Sequence, residues 1–364
     1  MILPLVVSCL LYPFLLLGFI IIPPLAIAPR YIVCSLVIIF SLLTIWRSSI
    51  TFINHSNKQF SIGYRSVLML CSLLIGITSA ELALMHWTRS NSVGYTLAAQ
   101  RWHKKFWKPI NSAGFREREI DATKLNNKKV IAVIDDSFVA GHGLQNVEDR
   151  FSNMLEQLLG AEWIVLNYGK SHTDTQFHLN TLSNLDSRLP LHTVILSYFG
   201  NDIADVGRAV GQPPPLPERY TDWFGTRFGV LIEISHLVNF VYWSIPQDDL
   251  RDWWQYYIDL YQDPRALRLH EAELNAFVQQ AAKKNAKLVV VIFPFLHMLE
   301  NSTVYTGKIE QIFNAVGVPT LDVSTLVQDL GLKQRIVNTN DVHASKEVNH
   351  RIARALHELI DGET

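Results

Sequence analysis

Apolar and polar positions are distributed very unevenly along the chain. Three long apolar runs fill its first quarter: Ile2–Ile22, closed by Pro23 and Pro24; Tyr31–Trp46, between Arg30 and Arg47; and Ser66–Trp87, between Arg65 and Arg89. About 20 apolar residues are needed to cross a bilayer. The first and third runs have that length, and the second has it when taken as Ile27–Ile50 with some tilt. The first run lacks a basic leading segment and a small-x-small cleavage site, and two more runs follow it. It therefore reads as an anchor rather than a removable leader. Residues 1–95 are expected to form a membrane anchor of about three transmembrane helices.

The pattern changes after residue 96. Past a connector at 96–127, short apolar runs alternate with segments of helical period. Strands are expected at Lys129–Ile134, Trp163–Asn167, Thr193–Phe199, Lys287–Phe293 and Pro319–Val323. Helices are expected at Asp149–Leu159, Asp174–Leu185, Leu267–Lys284, Gly307–Val316 and Lys346–Ile360. This alternation predicts βαβ units, and right-handed crossovers make them a doubly wound, flavodoxin-like parallel α/β sheet of about five strands over 128–364. One stretch, about 204–263, breaks the rhythm. It carries Pro213-Pro214-Pro215-Leu216-Pro217 and a dense set of aromatics from Trp223 to Tyr257. Such an insertion predicts a lid, a binding loop or a surface resting on the membrane interface, against a plain satellite core as the alternative.

Composition sharpens this picture in three places. The formal net charge is −1, which gives no electrostatic case for nucleic acid. The three cysteines, Cys9, Cys34 and Cys71, all lie in the apolar runs, so the polar domain has no disulfide, thiol nucleophile or cysteine metal site. Arg47, Lys58 and Arg65 between the second and third runs outnumber Arg30 between the first two. The positive-inside rule then places the amino terminus and the second loop in the cytoplasm and the large domain outside it. Glu81 is expected at interface depth in a structural role, with no acid or histidine partner in the other runs.

Candidate chemistry begins at Val130–Gly143. A buried strand stops at Asp135-Asp136-Ser137, small residues follow, and a helix begins soon after. In open α/β sheets the carboxyl edge is where ligands bind, and a serine there needs a base, an acid to orient the base, and donors for an oxyanion. Candidates follow in order: Asn167–Asp174 after the second strand, Ser197–Asp202 after the third, and Asn340-Asp341-Val342-His343 before the last helix.

These blocks resemble those of the SGNH (GDSL-type) hydrolases, over roughly residues 110 to 364. Asp136-Ser137 with Gly141 and Gly143 is similar to the nucleophile block, Gly200-Asn201-Asp202 to the block whose asparagine faces the oxyanion, and Asp341 with His343 to the terminal acid and base. Asn111-Ser112-Ala113-Gly114-Phe115-Arg116 is similar to a lead-in of membrane-anchored and exported members. The resemblance implies Ser137 as nucleophile, His343 as base and Asp341 as acid. The amides of Ser137 and His172 and the Asn201 side chain would be the oxyanion donors. It implies an acyl-ester substrate, glycan or lipid among the classes, with neither cofactor nor metal. Departures are Asp135 and His172 where the family has glycine, one residue rather than two between acid and base, and Asn340 at the usual acid position.

Other readings stay open at this point. An O-acyltransferase would use the same residues, and an inactive glycan- or lipid-binding module would use the aromatic insertion. A metal or phosphate enzyme would draw on Asp135, Asp136, Asp202 and His343. Gly169-Lys170-Ser171-His172-Thr173 lacks the last glycine of an α/β-hydrolase elbow.

Overall fold

The expected strands pair as Lys129–Asp135 (β1), Trp163–Gly169 (β2), Leu191–Tyr198 (β3), Lys287–Ile292 (β4) and Thr320–Asp322 (β5). They form one parallel sheet in the order β2-β1-β3-β4-β5. Val130 to Ile134 and Val290 to Ile292 have no exposed surface. Strands buried on both faces are read from sequence as continuous apolar runs, as here, rather than as alternation. Lys129 stands opposite Trp163 and Asp135 opposite Gly169, while Ile134 on its other side stands opposite Leu196. The strand order turns back between β1 and β3, which is where a doubly wound sheet opens a crevice at its carboxyl edge. Helices Phe151–Leu159 and Lys346–Asp361 pack on each other, as do Thr175–Ser183 and Pro264–Lys283. Phe151 N–H donates to Asn349 Oδ1 at 2.9 Å, which fixes the first pair.

In this computed structural model, residues 21–54, 62–92, 94–125, 127–215, 223–245 and 249–362 are described. Most of the first apolar run, Lys58, and Leu216 and Pro217 of the proline-rich stretch lie outside them. The chain divides into two units. One comprises residues 90–93, 103–217 and 248–364 and holds the sheet; the other comprises 1–89, 94–102 and 218–247.

The second of these contains helices Ile27–Asn54 and Ile62–Met85, two helices long and apolar enough to cross a membrane. They pack as an antiparallel hairpin, because Arg30, near the start of one, lies 3.6 Å from Glu81, near the end of the other. The aromatic insertion expected at 204–263 does not stay whole. Helices Trp223–Ile234 and His236–Ser244 belong with the apolar hairpin, whereas Asp249–Gln262 belongs with the sheet. The division has a polar cause. Glu81 Oε1 accepts the His236 N–H at 2.8 Å, and Oε2 accepts the Leu237 N–H at 2.8 Å and the Ser235 hydroxyl at 2.9 Å. A carboxylate at a helix amino terminus satisfies orphan amides and meets the positive end of the dipole. Glu81 therefore has the structural role expected of it. Its partners are Arg30, at the start of the second apolar segment, and the insertion, so the expectation of no acid or histidine partner in the other runs left them unnamed.

Outside the main sheet, Ile336–Asn338 (β6) and Asp341–Ala344 (β7) form an antiparallel hairpin that sequence pattern did not predict, since three- and four-residue strands carry too little periodicity.

Candidate active site

Ser137 begins a one-turn helix, Ser137–Ala140, directly after β1, and Asp136 caps that turn by accepting the Phe138 N–H at 2.8 Å. Across from it, β7 presents His343. The Ser137 hydroxyl donates to His343 Nε2 at 2.8 Å, and His343 Nδ1–H donates to Asp341 Oδ1 at 2.6 Å. Three side chains taken from sequence, separated by up to 206 positions, thus form one continuous relay. Asp341 has no exposed surface. Burial pushes its carboxyl up, but the charge and hydrogen bond of His343, with His142 beyond, outweigh that and hold it well below the usual carboxylate range. Asn340 accepts the Ser92 N–H through its backbone carbonyl, whereas it is Asp341 that accepts the His343 Nδ1–H.

The oxyanion candidates are placed as follows. Asn201, just past β3, donates from Nδ2 to Asp136 Oδ2 at 2.8 Å, which sets its amide beside the residue preceding the nucleophile. His172 has φ of 64°, the left-handed conformation that favours glycine. The loop therefore keeps a glycine-like bend while carrying an imidazole.

The turn that follows Ser137 is braced by Arg116 and Glu117, which lie just upstream in the sequence. Arg116 is buried and donates to the carbonyls of Gly141 at 2.7 Å, Leu144 at 2.9 Å and Phe106 at 2.9 Å. Arg150 donates to the Arg116 carbonyl at 2.5 Å and pairs with Glu117 at 3.3 Å, and Glu117 in turn accepts the Asn167 N–H at 3.1 Å. Burial lowers both guanidinium groups to about 10, so they stay charged at neutral pH. Gly143 (φ 85°) passes so close to the acid that a Cβ would stand 2.7 Å from Asp341 Oδ2.

Two groups were not assigned to the site by sequence. The His142 ring lies 4.5 Å from that of His343, and its Nε2–H donates to the Asn91 carbonyl at 3.0 Å. Burial, with His343 next, lowers His142 to about 4, so it stays neutral beside His343. The Ser92 hydroxyl accepts the Val342 N–H at 2.9 Å, and the Ser90 carbonyl accepts Asn338 Nδ2 at 3.3 Å. Nothing in residues 90–92 announces this role, because their partners lie about 250 positions away.

The metal alternative of Asp135, Asp136, Asp202 and His343 is not assembled. His343 is committed to Ser137 and Asp341, and Asp136 to Phe138 and Asn201. Asp135 and Asp202 instead face His178.

Fold and site together define a class: a doubly wound α/β domain with a serine–histidine–aspartate relay at the point where strand order reverses. No protein-family model and no curated protein sequence matches the chain. Among solved structures, it is similar to the aryl esterase of M. smegmatis at 16% identity, covering 64% of this chain and 99% of that one, with a TM-score of 0.38. It is similar to Est24, a carbohydrate acetylesterase from Sinorhizobium meliloti, at 14% identity over 65% of this chain and 100% of that one, with a TM-score of 0.40. A lipase/acylhydrolase from Enterococcus faecalis is similar at 12% identity over 65% and 96%, with a TM-score of 0.41. At such distances an activity does not pass from one chain to another, and the chemistry has to come from the relay itself.

Proposed function

We propose that this chain is a membrane-anchored serine hydrolase of the SGNH type that cleaves acyl esters, with Ser137, His343 and Asp341 as its catalytic residues. The observation that carries the reading is the relay, 2.8 Å from hydroxyl to imidazole and 2.6 Å from imidazole to carboxylate. His343 Nε2 takes the serine proton as Oγ attacks the ester carbonyl. The Asp341 carboxylate holds the tautomer that leaves Nε2 free to do so and stabilises the imidazolium that forms. The oxyanion would face the Ser137 and His172 amides and Asn201. The Asn201 amide nitrogen carries two hydrogens, one of them engaged by Asp136, so the second is available to the developing charge. His343 then protonates the leaving alcohol, and water releases the acyl group by the reverse sequence.

Acyl esters, acetyl among them, of an envelope polysaccharide, a lipid or a small molecule are the substrate class. The two long apolar helices support attachment to a membrane. The insertion helices in the same unit add exposed Trp223, Phe224, Val230, Phe240 and Val241, a surface suited to the interfacial region. An extracytoplasmic position for the sheet domain follows from the arginine and lysine distribution.

The test is hydrolysis of p-nitrophenyl acetate by the full-length chain in detergent. Ser137→Ala is expected to lower kcat by at least roughly 1,000-fold with an unchanged melting curve. Wild-type-like turnover in that variant would reject the assignment.

A further inference from the structure

Beneath the nucleophile turn lies a second cluster that the proposed hydrolysis does not use. Asp135 ends β1, Asp202 follows β3, and His178 comes from helix Thr175–Ser183; all three have no exposed surface. His178 Nδ1 lies 3.8 Å from Asp135 Oδ1 and 3.7 Å from Asp202 Oδ1. These are too long for hydrogen bonds. Among the described residues, Asp202 Oδ1 and His178 Nδ1 have no hydrogen-bond partner, and Asp135 is approached only by the Asp136 amide and the Ser197 hydroxyl of β3, outside good hydrogen-bond geometry.

The protonation of His178 can be read from its neighbour. The Thr173 hydroxyl donates its one hydrogen to the Lys170 carbonyl at 2.6 Å, so toward His178 Nε2, 3.0 Å away, it can only accept. Nε2 therefore carries the ring proton, and Nδ1 presents a bare lone pair. Three lone-pair atoms, two of them carboxyl oxygens, thus converge within 4.8 Å of one another. Buried acceptors in that arrangement repel unless a proton or a metal cation stands among them, and two carboxyls facing a bare Nδ1 offer a cation three ligand atoms at once.

We propose that Asp135, Asp202 and His178 form a divalent metal site at the carboxyl ends of β1 and β3, taking a zinc- or manganese-class ion. Two ligand atoms about 2.1 Å from one ion stand roughly 3.4–3.8 Å apart at common coordination angles, which matches the two separations between His178 and the carboxylates. Carboxylate oxygens with one imidazole suit zinc and manganese better than a soft metal. A ligating histidine characteristically donates its other ring N–H to an oxygen, as His178 does to Thr173. The ion neutralises an aspartate standing where the resembling nucleophile block has glycine. It also ties β1, β3 and helix Thr175–Ser183 together immediately behind Ser137 and Asn201. Its role is to position that edge, because the serine relay needs no metal.

The test uses the full-length chain purified in detergent, with metal content measured by mass spectrometry. About one equivalent of zinc or manganese per chain is expected. After chelation, added Zn²⁺ or Mn²⁺ should restore both that stoichiometry and a raised melting temperature. Asp135→Asn and His178→Gln should each weaken Zn²⁺ binding by at least roughly 100-fold, and Thr173→Val, which removes only the support of the ring, by roughly 10- to 100-fold. Ser137→Ala should bind the metal like the wild type, which separates this inference from the hydrolase reading. A wild-type chain that holds no metal and binds neither Zn²⁺ nor Mn²⁺ at tens of micromolar overturns the proposal whether or not the variants fold. So does metal binding unaffected by Asp135→Asn and His178→Gln.

Discussion

Single residues carry the reaction proposed here, and their geometry sets what substitution should do. Asp341 is buried, bonded to His343 Nδ1 and held well below the ordinary carboxylate range. Asp341→Asn replaces the acceptor with an amide that can present its N–H₂ to the ring. It is expected to lower kcat toward p-nitrophenyl acetate by roughly 1,000- to 10,000-fold while KM and the melting curve stay near wild type. A loss of less than tenfold would show that the acid does not orient the base. Ser137, His343 and Asp341 were all legible as candidates, because a nucleophile, a base and an acid must occupy sheet-edge loops in some order. His142 was legible only as a lining residue; its place 4.5 Å from the His343 imidazole depends on how the loop after Gly141 folds back.

At the scale of elements, close packing between β2 and the Ser137–Ala140 turn decides where Ser137 points. A Cβ on Gly169 would stand 2.1 Å from the Ala140 backbone nitrogen and 2.6 Å from the Val139 carbonyl carbon. Backbone cannot yield as a flexible side chain would, so Gly169→Ala should cost at least about 1–3 kcal/mol and displace the turn. Thermal unfolding should fall and the remaining activity should fall further; unchanged values for both would refute this account. The five strands and five of the helices could be read from apolar runs and helical period, with ends shifted by up to about three residues, as fraying and caps produce. The insertion helices were not predicted as helices. Their aromatic density masks the period, and Phe228 breaks the helical conformation inside Trp223–Ile234.

Across the whole molecule, buried charge sets the response to pH and to truncation of ion pairs. Burial, with Asp174 adding repulsion, pushes Glu273 up to about 7. Burial, with Glu273 and Asp174, pushes Asp205 to about 6. The two acids share a hydrogen bond, and His270 Nδ1 lies 3.2 Å from Glu273 Oε2. Acids raised on folding bind more protons in the native state. Their contribution is therefore present below about pH 4 and is lost as pH rises through 6 to 7. Glu273→Gln should flatten the decline in melting temperature between pH 5 and pH 8; an identical slope in the variant would exclude this pair as its source. In the unit holding the apolar helices, Glu81→Ala leaves Arg30 buried beside a helix start without its carboxylate. It should cost about 3–5 kcal/mol, seen as earlier loss of helical signal in detergent.

The sequence alone determined the parallel α/β class, the apolar segments and the short set of residues among which chemistry had to be sought, because periodicity and strand-end position are local properties of a chain. Only the tertiary structure decided which acid meets His343, that the insertion divides between two units, and that Asp135 faces His178 and Asp202. Those outcomes depend on distances between residues tens to hundreds of positions apart. Hydrogen bonding and burial fix such distances once the chain has folded, and no local pattern encodes them.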